Sequence, residues 1–112
     1  MRRTAADLAD EALEHLDVLR EHVWLAGVES RTAIDAISLR RSSALDCIGQ
    51  LPPDVRDAVC DQEWPAVRST RNRIAHGYSV VDADVIRAAV ATRLDALEER
   101  LRVVAASGTG SS

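Results

Sequence analysis

Apolar residues recur at steps of three or four along most of this chain, and this spacing constrains the fold more than any other feature. The first such stripe consists of Leu8, Ala12, Leu16, Leu19, Val23 and Ala26. Thr4 and Asp7 precede it with the spacing of a helix N-cap and its acidic partner, and Gly27 follows it. The pattern predicts an amphipathic helix between Thr4 and Gly27.

Similar patterns predict helices along the rest of the chain. The second helix begins at Ser30, contains Ile34, Ile37, Ala44, Leu45 and Ile48, and ends at Gly49 and the Pro52-Pro53 pair. Further helices are expected near residues 54–60 and 65–77, and a last one is capped by Asp82 or Asp84. That last helix carries the stripe Ile86, Val90, Leu94, Leu97, Leu101 and Val104. The fold class is therefore predicted to be all-α, an antiparallel up-and-down helical bundle of about four long helices plus one short helix.

Composition supports one small helical domain. The chain has 112 residues, 46% of them hydrophobic, but only 3% are aromatic and Phe is absent. Small aliphatic side chains suit closely packed helices. We expect a bundle domain at residues 1–106 and a disordered Gly/Ser-rich tail at residues 107–112.

Neither a targeting segment nor a metal motif is evident. No apolar stretch has the length of a signal peptide or a membrane span. Cys47 and Cys60 lack a metal-binding pattern and are expected to be free thiols in a reducing, cytoplasmic compartment. His15 and His22 form at most a weak metal pair. No metal and no cofactor are expected.

The octet R-N-R-I-A-H-G-Y at residues 71–78 concentrates polar chemistry. Residues 68–78 contain Arg68, Arg71, Arg73 and His76 without a single Asp or Glu, although the whole chain has a net charge of -4. Arginine holds phosphate oxygens by two-point contact, and histidine exchanges protons near neutral pH. Together an arginine and a histidine provide the phosphate contact and the proton transfer that metal-free RNA cleavage requires as a minimum.

These residues also resemble a known family. The pattern R-N-x-I-x-H-x-Y, preceded by Glu63-Trp64-Pro65 and followed by V-V-D-A-D-V-I, is similar to the toxin of HepT–MntA toxin–antitoxin pairs. That toxin belongs to the HEPN superfamily of small helical ribonucleases. Its signature of Arg, four residues, His, one residue and Tyr falls on Arg71, His76 and Tyr78. The resemblance implies a metal-independent endoribonuclease whose active cleft lies at a homodimer interface.

The polar residues of the octet have expected roles. Arg71 would hold the scissile phosphate, His76 would transfer protons, and Asn72, one helical turn earlier, would orient the imidazole ring. Arg68 and Arg73 are expected to bind RNA. The resemblance further implies that a partner nucleotidyltransferase, the MntA-like antitoxin, adenylylates Tyr78.

Helix geometry limits how the octet could act. Residues five positions apart differ by about 140° around a regular helix, so Arg71 and His76 would not converge on one atom. Either the helix ends near Gly77, which frees His76 to turn, or a second copy completes the site.

Other interpretations remain open. Arg71 can be a solvated helix residue, His76 a C-terminal capping residue favoured by the helix dipole, and Tyr78 an aromatic at the edge of the core. The protein could then be a non-catalytic HEPN module that binds a nucleotidyltransferase or a nucleotide through the same patch. A plain helical dimerisation protein with a coincidental octet is the third possibility.

Overall fold

The fold is built from helices throughout the part of the chain that can be described. A computed structural model describes residues 3–27, 30–65, 68 and 79–109, with the backbone alone for residues 79–85 and 108–109. The helices are α1 (Ala5–Ala26), α2 (Arg31–Gly49), α3 (Pro53–Val59), α4 (Ser79–Thr92) and α5 (Leu94–Thr109). These ranges contain no strand. The predicted all-α helical bundle is confirmed.

Helix α1 begins and ends where the sequence places it. The Thr4 hydroxyl accepts a hydrogen bond from the Asp7 backbone N–H at 3.1 Å, and the Asp7 carboxylate accepts one from the Thr4 N–H at 3.1 Å. These two bonds satisfy backbone donors that a helix start otherwise leaves unpaired. They also lower the pKa of Asp7 below its ordinary value. Gly27 ends the helix with a φ of 70°, a conformation that side chains with a Cβ rarely adopt.

The capping box predicts a measurable loss on Thr4→Ala substitution. We expect the free energy of unfolding to fall by about 1 kcal/mol, because the Asp7 backbone N–H loses its side-chain acceptor. Urea denaturation followed by circular dichroism measures the change, and Thr32→Ala, at an exposed position in the first turn of α2, is the matched control. Since the pKa of Asp7 is lowered in the folded state, its contribution is present at neutral pH. That contribution disappears as the pH falls through the lowered pKa. Equal losses in the two variants would contradict the capping role.

Helix α1 lies between α2 and α5 and packs against both. It runs antiparallel to α2, because Glu11 lies beside Cys47 whereas His15 lies beside Arg40. Aliphatic side chains from every helix fill the core. The larger fully buried ones are Leu16, Leu19, Ile37, Ile48, Val59, Ile86 and Leu101. All but Val59 belong to the stripes that the sequence predicts.

The apolar stripe of α1 does not stay buried to its end. Leu8, Ala12, Leu16 and Leu19 are buried, Val23 is half-buried, and Ala26 is exposed. Beside them, Trp24 is 87% exposed and Leu25 is 76% exposed. The last turn of α1 therefore presents large apolar side chains to solvent.

The end of the chain differs from the predicted single helix. Helix α4 already includes Asp82 and Asp84, so the prediction that one of them caps it was wrong. The helix is also interrupted at Arg93. Just before this point the Thr92 hydroxyl donates to the Ala88 carbonyl at 2.7 Å, a side-chain bond that competes with the helical ladder and bends helices.

A buried carboxylate ties α1 to α5. Glu98 is only 2% exposed, and its two oxygens accept hydrogen bonds from Arg20 Nε at 2.9 and 3.0 Å. Arg20 Nη2 donates to Glu98 at 2.6 Å and also to Asp95. The hydrogen bonds to Glu98, and secondly the one to Asp95, raise the pKa of Arg20 above its ordinary value. The two helices are thus joined by a charged contact that admits little change of register.

Helix α5 continues through residues 107–109, which is three residues into the segment predicted to be a disordered tail. Residues 110–112 lie outside the described part. Among the described helices, none combines the length and the apolar character needed to cross a bilayer.

Candidate functional site

The octet at residues 71–78 lies outside the described residues. This applies to Arg71, Asn72, Arg73, His76 and Tyr78, whose predicted roles the structure leaves untested. The predicted fourth helix, 65–77, falls in the same region. Of the residues predicted to bind RNA, Arg68 is described and is exposed. The structure does define the chain on both sides of the octet.

Before the octet, the Trp64 ring packs against the end of α2. A Cβ atom added to Gly49 would lie 3.2 Å from Cη2 of Trp64, so the absence of a side chain at Gly49 makes room for the indole. On the ring's face lies Arg56, its guanidinium carbon 5.3 Å from the ring centroid. This cation–π contact and the close approach to Gly49 fix the position from which the chain enters the octet.

The Trp64→Ala substitution tests this anchor. We expect the free energy of unfolding to fall by about 2 kcal/mol, less than for a fully buried tryptophan because Trp64 is half-buried. The matched control is Trp24→Ala, since Trp24 is 87% exposed and its removal should change stability little. Urea denaturation provides the comparison. Indistinguishable midpoints for the two variants would show that Trp64 is not an anchor.

The turn between α3 and Trp64 is also held in place. Asp61 and Gln62 have φ angles of 51° and 64°, left-handed values that are costly outside glycine. The Gln62 N–H donates to the Asp57 carbonyl at 2.8 Å, which closes the end of α3. Two arginines reach this turn: Arg93 pairs with Glu63 at 2.9 Å, and Arg100 lies 3.7 Å from Asp61. The approach to the octet is therefore tied to the C-terminal helices.

After the octet, α4 begins at Ser79, directly following Tyr78. Helix α4 packs on α2 and α5, and its Ile86 is completely buried. Before the octet the described chain therefore contacts α2 through Trp64 and Gly49, and after the octet it contacts α2 through α4.

A cluster of potential metal ligands lies elsewhere, between α1 and α2. Glu11, His15 and Cys47 place one donor atom each within 4.8 Å of one another. The cluster does not include His22, with which the sequence pairs His15. Two arginines already use these groups: Arg3 pairs with Glu11, and Arg40 Nη1 lies 3.1 Å from His15 Nδ1. Because guanidinium groups repel a further cation, we assign no metal to this cluster.

Both cysteines are free and buried, as the sequence predicts. Burial raises the pKa of Cys47 above its ordinary value and that of Cys60 to about 11. Thiols with a raised pKa stay neutral near pH 7 and are poor nucleophiles. The cysteines therefore belong to the core and offer no nucleophilic catalyst.

Comparison with known proteins agrees with the resemblance carried by the octet. Searches of curated proteins and of solved structures found no significant match. The family model for HepT-like ribonucleases matches residues 9–104, which is most of the chain and includes the whole octet. The described helices within this range form the all-α bundle that the resemblance implies. The chain therefore belongs to the HepT-like ribonuclease family.

Proposed function

We propose that this protein is a metal-independent endoribonuclease, the toxin of a toxin–antitoxin pair, with catalysis centred on Arg71 and His76. The observation that carries the proposal is the family match over residues 9–104, which encloses an acid-free Arg/His/Tyr motif. RNA is the substrate class that membership of a ribonuclease family implies. Arg68 and Arg73 would add cationic contacts to its backbone.

The proposed reaction is attack by a ribose 2′-hydroxyl on the adjacent phosphorus. His76 accepts the proton of that hydroxyl as the new O–P bond forms, and the 5′-oxygen of the next nucleotide leaves with a proton. Arg71 stabilises the negative charge that develops on the phosphate oxygens, while Asn72 orients the imidazole. The products carry a 2′,3′-cyclic phosphate and a 5′-hydroxyl. No metal ion takes part, so cleavage should persist in EDTA.

The proposed active unit is a homodimer. A regular helix separates Arg71 from His76 by about 140°, so a second protomer is the simplest source of the missing partner. A composite site also concentrates arginines from two copies, which offsets the net charge of -4 per chain.

Mixed dimers test the composite site. Neither the Arg71→Ala nor the His76→Ala protein alone should cleave RNA. When equal amounts are unfolded together and refolded, about a quarter of wild-type activity should return, because half the dimers are mixed and each has one intact site. Gel analysis of a labelled RNA measures this recovery. No recovery would place both groups in one protomer.

We further propose that a cognate nucleotidyltransferase silences the toxin by adenylylating Tyr78. The modification would add a negative charge and bulk two residues from His76, and so compete with RNA phosphate. Incubation with the purified antitoxin and ATP, followed by mass spectrometry, should locate one adenylyl group on Tyr78. The Tyr78→Phe variant should remain unmodified and stay toxic when both genes are expressed.

A further inference from the structure

Residues of α1, α2, α3, α4 and α5 line a partly open cavity of about 70 Å³. Most of its wall is aliphatic, including Leu16, Leu19, Leu45 and Leu97. Three arginines, Arg41, Arg93 and Arg100, also line it. An apolar chamber with cationic groups in its wall is the combination that receives a small organic anion.

Arg41 distinguishes this cavity from an ordinary packing defect. Its Nη1 atom is fully buried, and no group among the described residues accepts a hydrogen bond from it. Burial, and secondly the charge of Arg93, lowers the pKa of the Arg41 guanidinium. Arg41 as a whole is half-buried, but a buried N–H donor without an acceptor is costly, and on a guanidinium it favours a compensating anion.

The charges around the cavity leave one cation uncompensated among the described residues. Arg93 pairs with Glu63, and Arg100 lies near Asp61, so two carboxylates face three guanidinium groups. Counted over these described side chains, the wall of the cavity carries one more positive than negative charge. The cavity accordingly matches a guest with a single negative charge.

We propose that this cavity binds a short aliphatic carboxylate, with the carboxylate on Arg41 and the alkyl group among the leucines. A carboxylate is the planar monoanion that fits a guanidinium by paired hydrogen bonds. A phosphate dianion would need more donors than this largely apolar wall provides. The volume is about half of the ~150 Å³ that accommodates benzene, which restricts the alkyl group of the guest to about two or three carbon atoms, as in propionate or butyrate.

The test uses sodium butyrate as the probe and thermal unfolding of the wild-type protein as the readout. Butyrate should raise Tm in a saturable manner, because a ligand that binds only the folded state stabilises it. Butyramide, which lacks the charge, and inorganic phosphate at matched ionic strength should not. The shift should grow from acetate to butyrate and disappear with octanoate, which is too long for the cavity.

Substitutions then locate the site. Arg41→Met should abolish the butyrate shift and should itself fold at least as stably as wild type, since it removes an uncompensated charge. Arg102→Met is the matched control, because Arg102 is exposed on α5 outside the cavity, and it should keep the full shift. Line broadening of ¹³C-labelled butyrate by the wild-type protein provides a measurement that does not depend on any variant folding. A shift that butyramide or phosphate reproduces, or that survives in Arg41→Met, overturns the proposal, as does an absence of binding in both assays. The His76→Ala variant should bind butyrate as wild type does, whether or not it cleaves RNA. The butyrate site and the ribonuclease proposal can therefore be rejected independently.

Discussion

The His76→Ala substitution is expected to reduce RNA cleavage by the purified protein by at least about a hundredfold, the usual contribution of one general acid–base group. The reason is that His76 is the one histidine of the acid-free segment at residues 68–78, since the other two histidines of the sequence, His15 and His22, belong to α1. Cleavage of a labelled RNA at neutral pH measures the loss. Expression of the variant in cells should also lose the toxicity of the wild-type gene.

Arg71→Ala should produce a comparable loss, because the charge developing on the phosphate would lose its closest cation. Matched controls are His22→Ala on α1 and Arg31→Ala in the first turn of α2, which should both cleave RNA at the wild-type rate. Unchanged helicity by circular dichroism separates a chemical effect from unfolding. Full activity in both His76→Ala and Arg71→Ala would exclude the proposed chemistry and favour a binding module.

The second large effect is expected at Arg20 on α1. Arg20→Met should lower the free energy of unfolding by about 3 kcal/mol, because it leaves the carboxylate of Glu98 buried without its principal partner. The cost arises from Glu98, which is 2% exposed, and not from Arg20, whose side chain is 44% exposed. Urea denaturation gives the value.

Two further variants make this result specific. Arg102→Met removes an arginine 4.0 Å from the same carboxylate, but its side chain is 63% exposed, so we expect a change below about 0.5 kcal/mol. The double variant Arg20→Met with Glu98→Met should recover most of the lost stability, since apolar residues can replace a buried ion pair. A double variant less stable than Arg20→Met would show that the pair is irreplaceable.

Local signals explain which parts of the fold the sequence predicts well. The start of α1 depends on Thr4 and Asp7, and its end depends on Gly27, all of them next to the helix they delimit. The interruption at Arg93, next to the bond from the Thr92 hydroxyl to the Ala88 carbonyl, has no counterpart in the apolar periodicity, which continues through it. The same applies to the early start of α4.

The buried Glu98 is a different case, because a signal for it exists. Glu98 lies four residues after Leu94 and three before Leu101, which places it on the core-facing side of α5. An acidic residue at such a position requires a partner, although its spacing cannot say that the partner is Arg20 on α1. That pairing depends on how the two helices come together.

For the candidate site, the sequence predicts which residues could act on RNA but few of the contacts around them. The motif at residues 71–78 is readable because its residue types are adjacent in the chain. The contact of Trp64 with Gly49 joins α2 to a residue after α3, and no local sequence pattern identifies it. The sequence does not predict the burial of Arg41 Nη1 either, since this burial follows only from the packing of α2 against its neighbours.

The contrast between the two tryptophans gives the protein a built-in optical reporter. Trp24 projects into solvent, so its emission should be red-shifted and readily quenched by acrylamide, whereas Trp64 is shielded by Gly49 and Arg56. With only two tryptophans in the chain, Trp24→Phe leaves a single tryptophan, Trp64, which precedes the octet in the sequence. The emission spectrum of Trp64 would then report, in real time, the binding of a ligand or partner near this residue.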